Sequence, residues 1–216
     1  QKSGKTEGWH DAAFFNMCRP LELVFSNGID KGVRIGPATG NVEDMTTFEQ
    51  FYDAYKKQMD YAIQLLVNAD NAIDMAHAER CPLPFLSSMV DDCMKVGKTV
   101  QEGGAVYNFT GPQGFGVANM ADSLYSVKTL VYDEKKITMG ELKEALATNY
   151  GKGLGAEDVA AMTAKIANEL KEAGKTIGEK EVAAILNTVV AASEAPEVKA
   201  NGERILKLIE EVPKFG

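Results

Sequence analysis

Histidine occurs twice, tryptophan once and cysteine three times in this sequence of 216 residues. His10 and His77 have no second histidine three or four positions away, and Cys18, Cys81 and Cys93 include no Cys-x-x-Cys pair. Neither a metal site nor a disulfide framework is therefore expected. The odd number of thiols suits a reducing compartment, and a cytoplasmic location is the expectation. No apolar run approaches the roughly 20 residues that a spanning helix needs, and no charged stretch leads into a short apolar one as in a signal peptide. Membrane insertion and export are both unexpected. Positive charge is also in short supply: 23 Lys and Arg stand against 31 Asp and Glu, a net charge of −8, and the lysines are dispersed. A phosphate backbone would be repelled, so nucleic acid is not an expected partner.

Several motifs fail on inspection. Gly97-Lys98-Thr99 lacks the glycine that a phosphate-cradling loop needs five residues earlier, where Asp92 stands, and Gly4-Lys5-Thr6 lacks a preceding strand. Gly111-x-x-Gly114-x-Gly116 has the wrong order for a dinucleotide fingerprint and reads as a tight turn. Asp70 and Asp74 lie one helical turn apart without the glycine and distal glutamate of a calcium loop, and read as a capped or solvated face.

What is present is an ordinary globular composition, 45% apolar and 25% charged. The spacing of Trp9, Ala12, Ala13, Phe14, Met17, Leu21, Val24 and Phe25 predicts a buried helix over 9–25, kinked at Pro20 and ended near Gly28. Gly32 to Gly40 reads as a loop with one short strand. Thr46-x-x-Glu49 reads as a capping box opening a long helix to about Glu79. Pro82 and Pro84 break it, and a short helix through Leu86, Val90 and Met94 closes at Gly97. Val106 to Thr110 reads as a buried strand and Gly111 to Gly116 as its turn into a helix, half of a βα unit. Helices follow over 117–132, 139–149 behind the capping box Thr138-x-x-Glu141, 156–173, 179–193 and 197–211. The glycines between Tyr150 and Gly155 mark a boundary, separating a main segment 1–150 from a peripheral helical segment 151–216. Gln1 in place of Met, and an end directly after an amphipathic stretch, read as a piece of something longer.

His10-Asp11 is the pair that attracts attention. It stands between Trp9 and Phe14-Phe15, so either side chain turned inward sits in a low-dielectric wall and must be hydrogen-bonded. Neighbours on a helix point about 100° apart, so at most one of the two faces a given cavity.

Three stretches carry a resemblance: Gly4-Lys5-Thr6-Glu7-Gly8-Trp9-His10-Asp11-Ala12-Ala13-Phe14-Phe15-Asn16, then Glu79-Arg80-Cys81-Pro82-Leu83-Pro84-Phe85-Leu86-Ser87-Ser88, then Gln101 to Asn119 with its core Tyr107-Asn108-Phe109-Thr110-Gly111-Pro112-Gln113-Gly114-Phe115-Gly116. Over residues 1 to about 150 the chain resembles the glycyl radical enzymes of the pyruvate formate-lyase superfamily. After Gly151 the likeness is thin, apart from the closing Ile209 to Gly216. The resemblance implies an α/β fold in which this chain is a helix-rich portion of a ten-stranded α/β barrel, and a homodimer when intact. It implies no bound cofactor, and a glycyl radical installed by an iron–sulfur activating enzyme that uses S-adenosylmethionine. The radical glycine, the relay cysteine and the base glutamate of the family's Gly-Cys-x-Glu motif match no position of this chain. Cys18, Cys81 and Cys93 do not stand at the relay place.

Trp9-His10-Asp11 is similar to the B12-independent dehydratases of glycerol and propane-1,2-diol. In these the aspartate at this place hydrogen-bonds a substrate hydroxyl. The resemblance thus implies a carbon–oxygen lyase, with Asp11 as the ligand of a diol and His10 and Phe14 in the pocket wall. This segment alone is expected to be inactive, its partners being the remaining segments of the same enzyme, the activating enzyme and a small diol. Pyruvate formate-lyase itself and choline-cleaving relatives are the rival enzyme readings. A non-catalytic helical association module is the rival outside enzymes.

Overall fold

The computed structural model describes residues 9–151 and 195–214, together with Val182, Asn187 and Ala191, each of which is helical. Two expected features, the helix over 156–173 and the Gly4-Lys5-Thr6 stretch, lie outside the described residues, as does the helix over 179–193 apart from those three positions. The described elements run β1 (Trp9–Asn16), α1 (Arg19–Phe25), β2 (Ile29–Asp30), β3 (Val33–Arg34), a 3-10 turn (Val42–Asp44), α2 (Phe48–Arg80), α3 (Pro84–Ser87), α4 (Cys93–Val96), β4 (Phe109–Phe115), α5 (Val117–Val127), a π-helical turn (Lys128–Asp133), α6 (Met139–Ala147) and α7 (Pro196–Glu211).

The first departure from expectation is at the start. Residues 9–16 form a strand rather than the first half of a helix, and only Arg19–Phe25 is helical, entered through Pro20 in the first turn where a missing N–H costs nothing. The cause lies in the pairing. β1 runs parallel to β4, and the register slips between Asp11 and Phe14, so that Ala12 and Ala13 together face Pro112. One extra residue turns a spacing of two into a spacing of three, which imitates helical periodicity in the sequence.

The second departure is at β4, which spans Phe109–Phe115 instead of ending at Thr110. The Gly- and Pro-rich stretch is the strand itself, not its turn. Pro112 donates no ladder bond and stands at the bulge, where none is required. Gly114 leaves room for Met17, whose sulfur would lie 3.2 Å from an added Cβ. The turn into α5 is the single residue Gly116, at φ 77°, a left-handed conformation natural to glycine.

Smaller differences have local causes. The cap of α2 is Thr47 with Gln50, one residue later than expected, because the Gln50 side chain reaches back to the N–H groups of both Thr46 and Thr47. The region expected to hold one short helix to Gly97 holds two, α3 and α4, the second ended by Gly97 at φ 68°. β2 and β3 form a small hairpin through Lys31 and Gly32, both at positive φ, where one strand was expected. The box Thr138–Glu141 and the helices α2 and α7 lie close to where the sequence puts them.

The core gathers where α1, α2, α5, α6 and α7 meet. Phe51, Val24, Val42 and Ile205 have no exposed surface, and Leu130 is also buried. Phe51, Ala54, Tyr55 and Gln58 recur at helical spacing and are the buried stripe of the first third of α2. Phe25 meets Phe51 edge-on with ring centroids 5.6 Å apart, and the Tyr132 hydroxyl donates to the Met45 carbonyl. Burial pushes the Tyr55 and Tyr132 phenols up to about 12, so both are neutral over the physiological range.

Helix α7 is seated through glycines. A Cβ on Gly202 would come within 2.3 Å of the Tyr150 backbone, and one on Gly151 within 2.3 Å of Lys199 Cα. Arg204 then pairs with Glu141 at 2.9 Å. The Glu141 carboxyl lies below the usual range, chiefly through its bonds from Thr138 and secondarily through Arg204. Gly202→Ala should therefore force α7 outward at a cost of about 1–3 kcal/mol, as overpacking does. Thermal unfolding reads this as a fall of several degrees in the midpoint. An unchanged midpoint would contradict the close seat.

Candidate active site

The residues singled out by the sequence converge on the β1–β4 ribbon. His10 is in register with Thr110, Asp11 with Gly111 and Phe14 with Gln113. Gly111 and Gln113 are two apart on β4 and share one side of it. The bulge therefore groups positions 11 and 14 on one side of the ribbon, although regular alternation would separate residues three apart. Position 10 is grouped with Thr110 on the other side.

The two sides differ. Thr110 Oγ1 donates to Asp74 Oδ2 at 2.6 Å, so its side is the one covered by α2. On the opposite side Phe14 is 70% exposed, and Phe109 and Phe115 are also exposed around Gln113. This is an open, largely apolar surface. Such a surface can hold the carbon skeleton of a small molecule while one fixed polar group orients it.

A cavity of about 1070 Å³ lies elsewhere, between α1, α5 and α6. Neither Phe14 nor Gln113 lines it, and it is not the candidate site. Cys18 does line it, with its sulfur 3.5 Å from the Gly116 carbonyl. Burial, followed by the charge of Glu22, pushes the Cys18 thiol up, opposite to what a reactive cysteine requires. Cys81 is exposed and Cys93 buried, far apart in burial as in sequence. Among the described residues no three His, Cys, Asp or Glu side chains come together as a metal site.

Sequence reasoning missed Asp74 and Thr110. Asp74 reads in the sequence as a solvated or capping residue, yet it is half-buried and accepts a bond from a strand 36 positions away, and Asp70 is only 7% exposed. Nothing in the local spacing of α2 announces this. Gln113 carries a weak signal, since the proline beside it marks the place where a strand must bulge.

The sequence model of the pyruvate formate lyase-like family matches residues 1–216. The chain belongs to that family. A solved structure whose subject is 1,2-propanediol dehydration in Roseburia inulinivorans is 56% identical, with a TM-score of 0.88, over 100% of this chain and 26% of that one. The glycerol-bound B12-independent glycerol dehydratase of Clostridium butyricum is 55% identical, with a TM-score of 0.66, over 76% of this chain and 20% of that one. The (2S)-3-sulfopropanediol dehydratase of Klebsiella oxytoca is 38% identical over 150 residues, 68% of this chain and 18% of the relative. This chain thus spans about a quarter or less of the proteins it matches. Its described residues contribute one parallel strand pair with covering helices to a pyruvate formate lyase-like α/β fold. Among them no helix is long and apolar enough to cross a membrane.

Proposed function

We propose that this chain is part of a glycyl radical diol dehydratase, a carbon–oxygen lyase that converts a small vicinal diol such as glycerol or propane-1,2-diol to an aldehyde and water. The observation that carries the reading is the 56% identity over the entire chain to a structure concerned with 1,2-propanediol dehydration. Relatives named for other activities, such as the isethionate sulfite-lyase of Nitratidesulfovibrio vulgaris at 32% identity, are more distant.

In this reading β1 and β4 are neighbouring strands of a ten-stranded α/β barrel, with α2 on the outside and the Phe14, Gln113 and Phe115 side towards the interior. Asp11 accepts a hydrogen bond from one diol hydroxyl. The bulge fixes its backbone, and the fixed carboxylate turns the diol so that the carbon losing hydrogen faces the radical centre. Phe14 supplies apolar wall beside it. The glycyl radical, installed by a radical S-adenosylmethionine activating enzyme, supplies hydrogen abstraction from residues outside this chain. The test is turnover. After anaerobic activation the complete polypeptide should convert propane-1,2-diol to propanal, and a fully activated protein that releases no aldehyde from any diol would overturn the reading.

A further inference from the structure

The bulge that groups positions 11 and 14 leaves the ribbon weak at the place where Asp11 must be held. Its partner Gly111 has no side chain to pack, and the next residue, Pro112, has no N–H for the ladder. A side-chain bond reaches this point from α2. Thr110, adjacent to Gly111, donates its hydroxyl to the Asp74 carboxylate at 2.6 Å in a half-buried setting. A bond to a charged acceptor is shorter and about twice as strong as a neutral one. Asp74 stands on α2, whose first third is anchored in the core through Phe51, Tyr55 and Gln58. Gln58 itself donates to the Pro37 carbonyl at 2.8 Å. The helix is thus a fixed beam, and Asp74 ties β4 to it one residue from the partner of Asp11.

We propose that Asp74 is a positioning residue for the dehydration: through the Thr110 hydroxyl it sets the height of β4 at the bulge and thereby the place of Asp11 against the substrate. The inference rests on the diol dehydratase reading given above. Asp74 touches no substrate. Its effect is transmitted through the Thr110 hydroxyl and the strand register, and displacement of a positioning group by about an ångström costs up to about a hundredfold in rate.

The experiment is steady-state kinetics on propane-1,2-diol with the complete, anaerobically activated polypeptide, comparing Asp74→Ala, Asp74→Asn, Thr110→Val and Thr110→Ser. Radical content, read by electron paramagnetic resonance, identifies the variants that fold and activate. Asp74→Ala and Thr110→Val should each lower kcat about tenfold to a hundredfold, with KM changed less than about threefold. The double variant should be no slower than the slower single one, because both remove the same bond. Asp74→Asn keeps an acceptor oxygen and Thr110→Ser keeps the hydroxyl, so both should retain most of the rate. Should Asp74→Ala not load the radical, Thr110→Val, which removes only the hydroxyl, decides the matter. Wild-type kcat in the Ala and Val variants would overturn the inference, as would equal losses in the Asn and Ser variants. Absence of turnover in the wild-type protein would instead overturn the diol dehydratase reading, and this inference with it.

Discussion

Asp11→Ala in the complete, activated enzyme should lower kcat/KM for propane-1,2-diol by about a hundredfold or more, while the radical content stays at the wild-type level. The substrate hydroxyl loses a charged acceptor in an enclosed site, which costs about 1–3 kcal/mol for the unpaired group. It also loses the contact that fixes which carbon faces the radical, and orientation adds to the loss. Asp11→Asn keeps an acceptor but offers amide donors to a hydroxyl that itself donates, so about a tenfold loss is expected. Phe14→Ala is the useful control. Phe14 shares the side of the ribbon with position 11 but offers only apolar surface, so its truncation should act mainly on KM. An Asp11→Ala enzyme with the wild-type kcat/KM would remove Asp11 from substrate binding altogether.

The 216-residue chain made by itself should be inactive and should associate with itself. Phe85 is 80% exposed, Met94 74%, Val106 72% and Phe14 70%, and the second half of α2 presents Ile63, Leu65, Val67, Ile73 and Met75. Stable monomers rarely leave apolar surface of this extent uncovered. Among the described residues β1 and β4 form a two-stranded sheet, so each has an edge along which further strands can pair. Sedimentation should therefore show species well above the 23.4 kDa of the chain. A sharp monomer with a cooperative melt would mean that these faces are not made to be covered, and would favour an autonomous helical module.

How far the sequence reveals this arrangement depends on how local the cause is. Helix α2 was legible because its signals lie within the helix: a capping residue, apolar positions three and four apart, and prolines beyond its end. The cap was misplaced by one residue because Thr46 and Thr47 both bond Gln50. β1 was not legible as a strand, because its bulge depends on Pro112, about 100 residues away, and the extra residue gives the strand a helix-like spacing. β4 was placed too early for a related reason: glycine and proline signal turns in isolation, and only the partner strand makes them a bulge. The interest of Asp11 came from resemblance to a family, not from its neighbours. Its grouping with Phe14 and the separation of His10 onto the Thr110 side emerge only from the register. The bond from Thr110 to Asp74 had no sequence signal, since it joins a strand to a helix face that reads as solvated.

The most direct test of the account is a substrate panel on the complete polypeptide after anaerobic activation, with aldehyde and other products measured for propane-1,2-diol, glycerol, isethionate and trans-4-hydroxy-L-proline. The account predicts turnover of a vicinal diol to its aldehyde with little or no reaction of the other two. Turnover of isethionate or hydroxyproline with the diols untouched would contradict it.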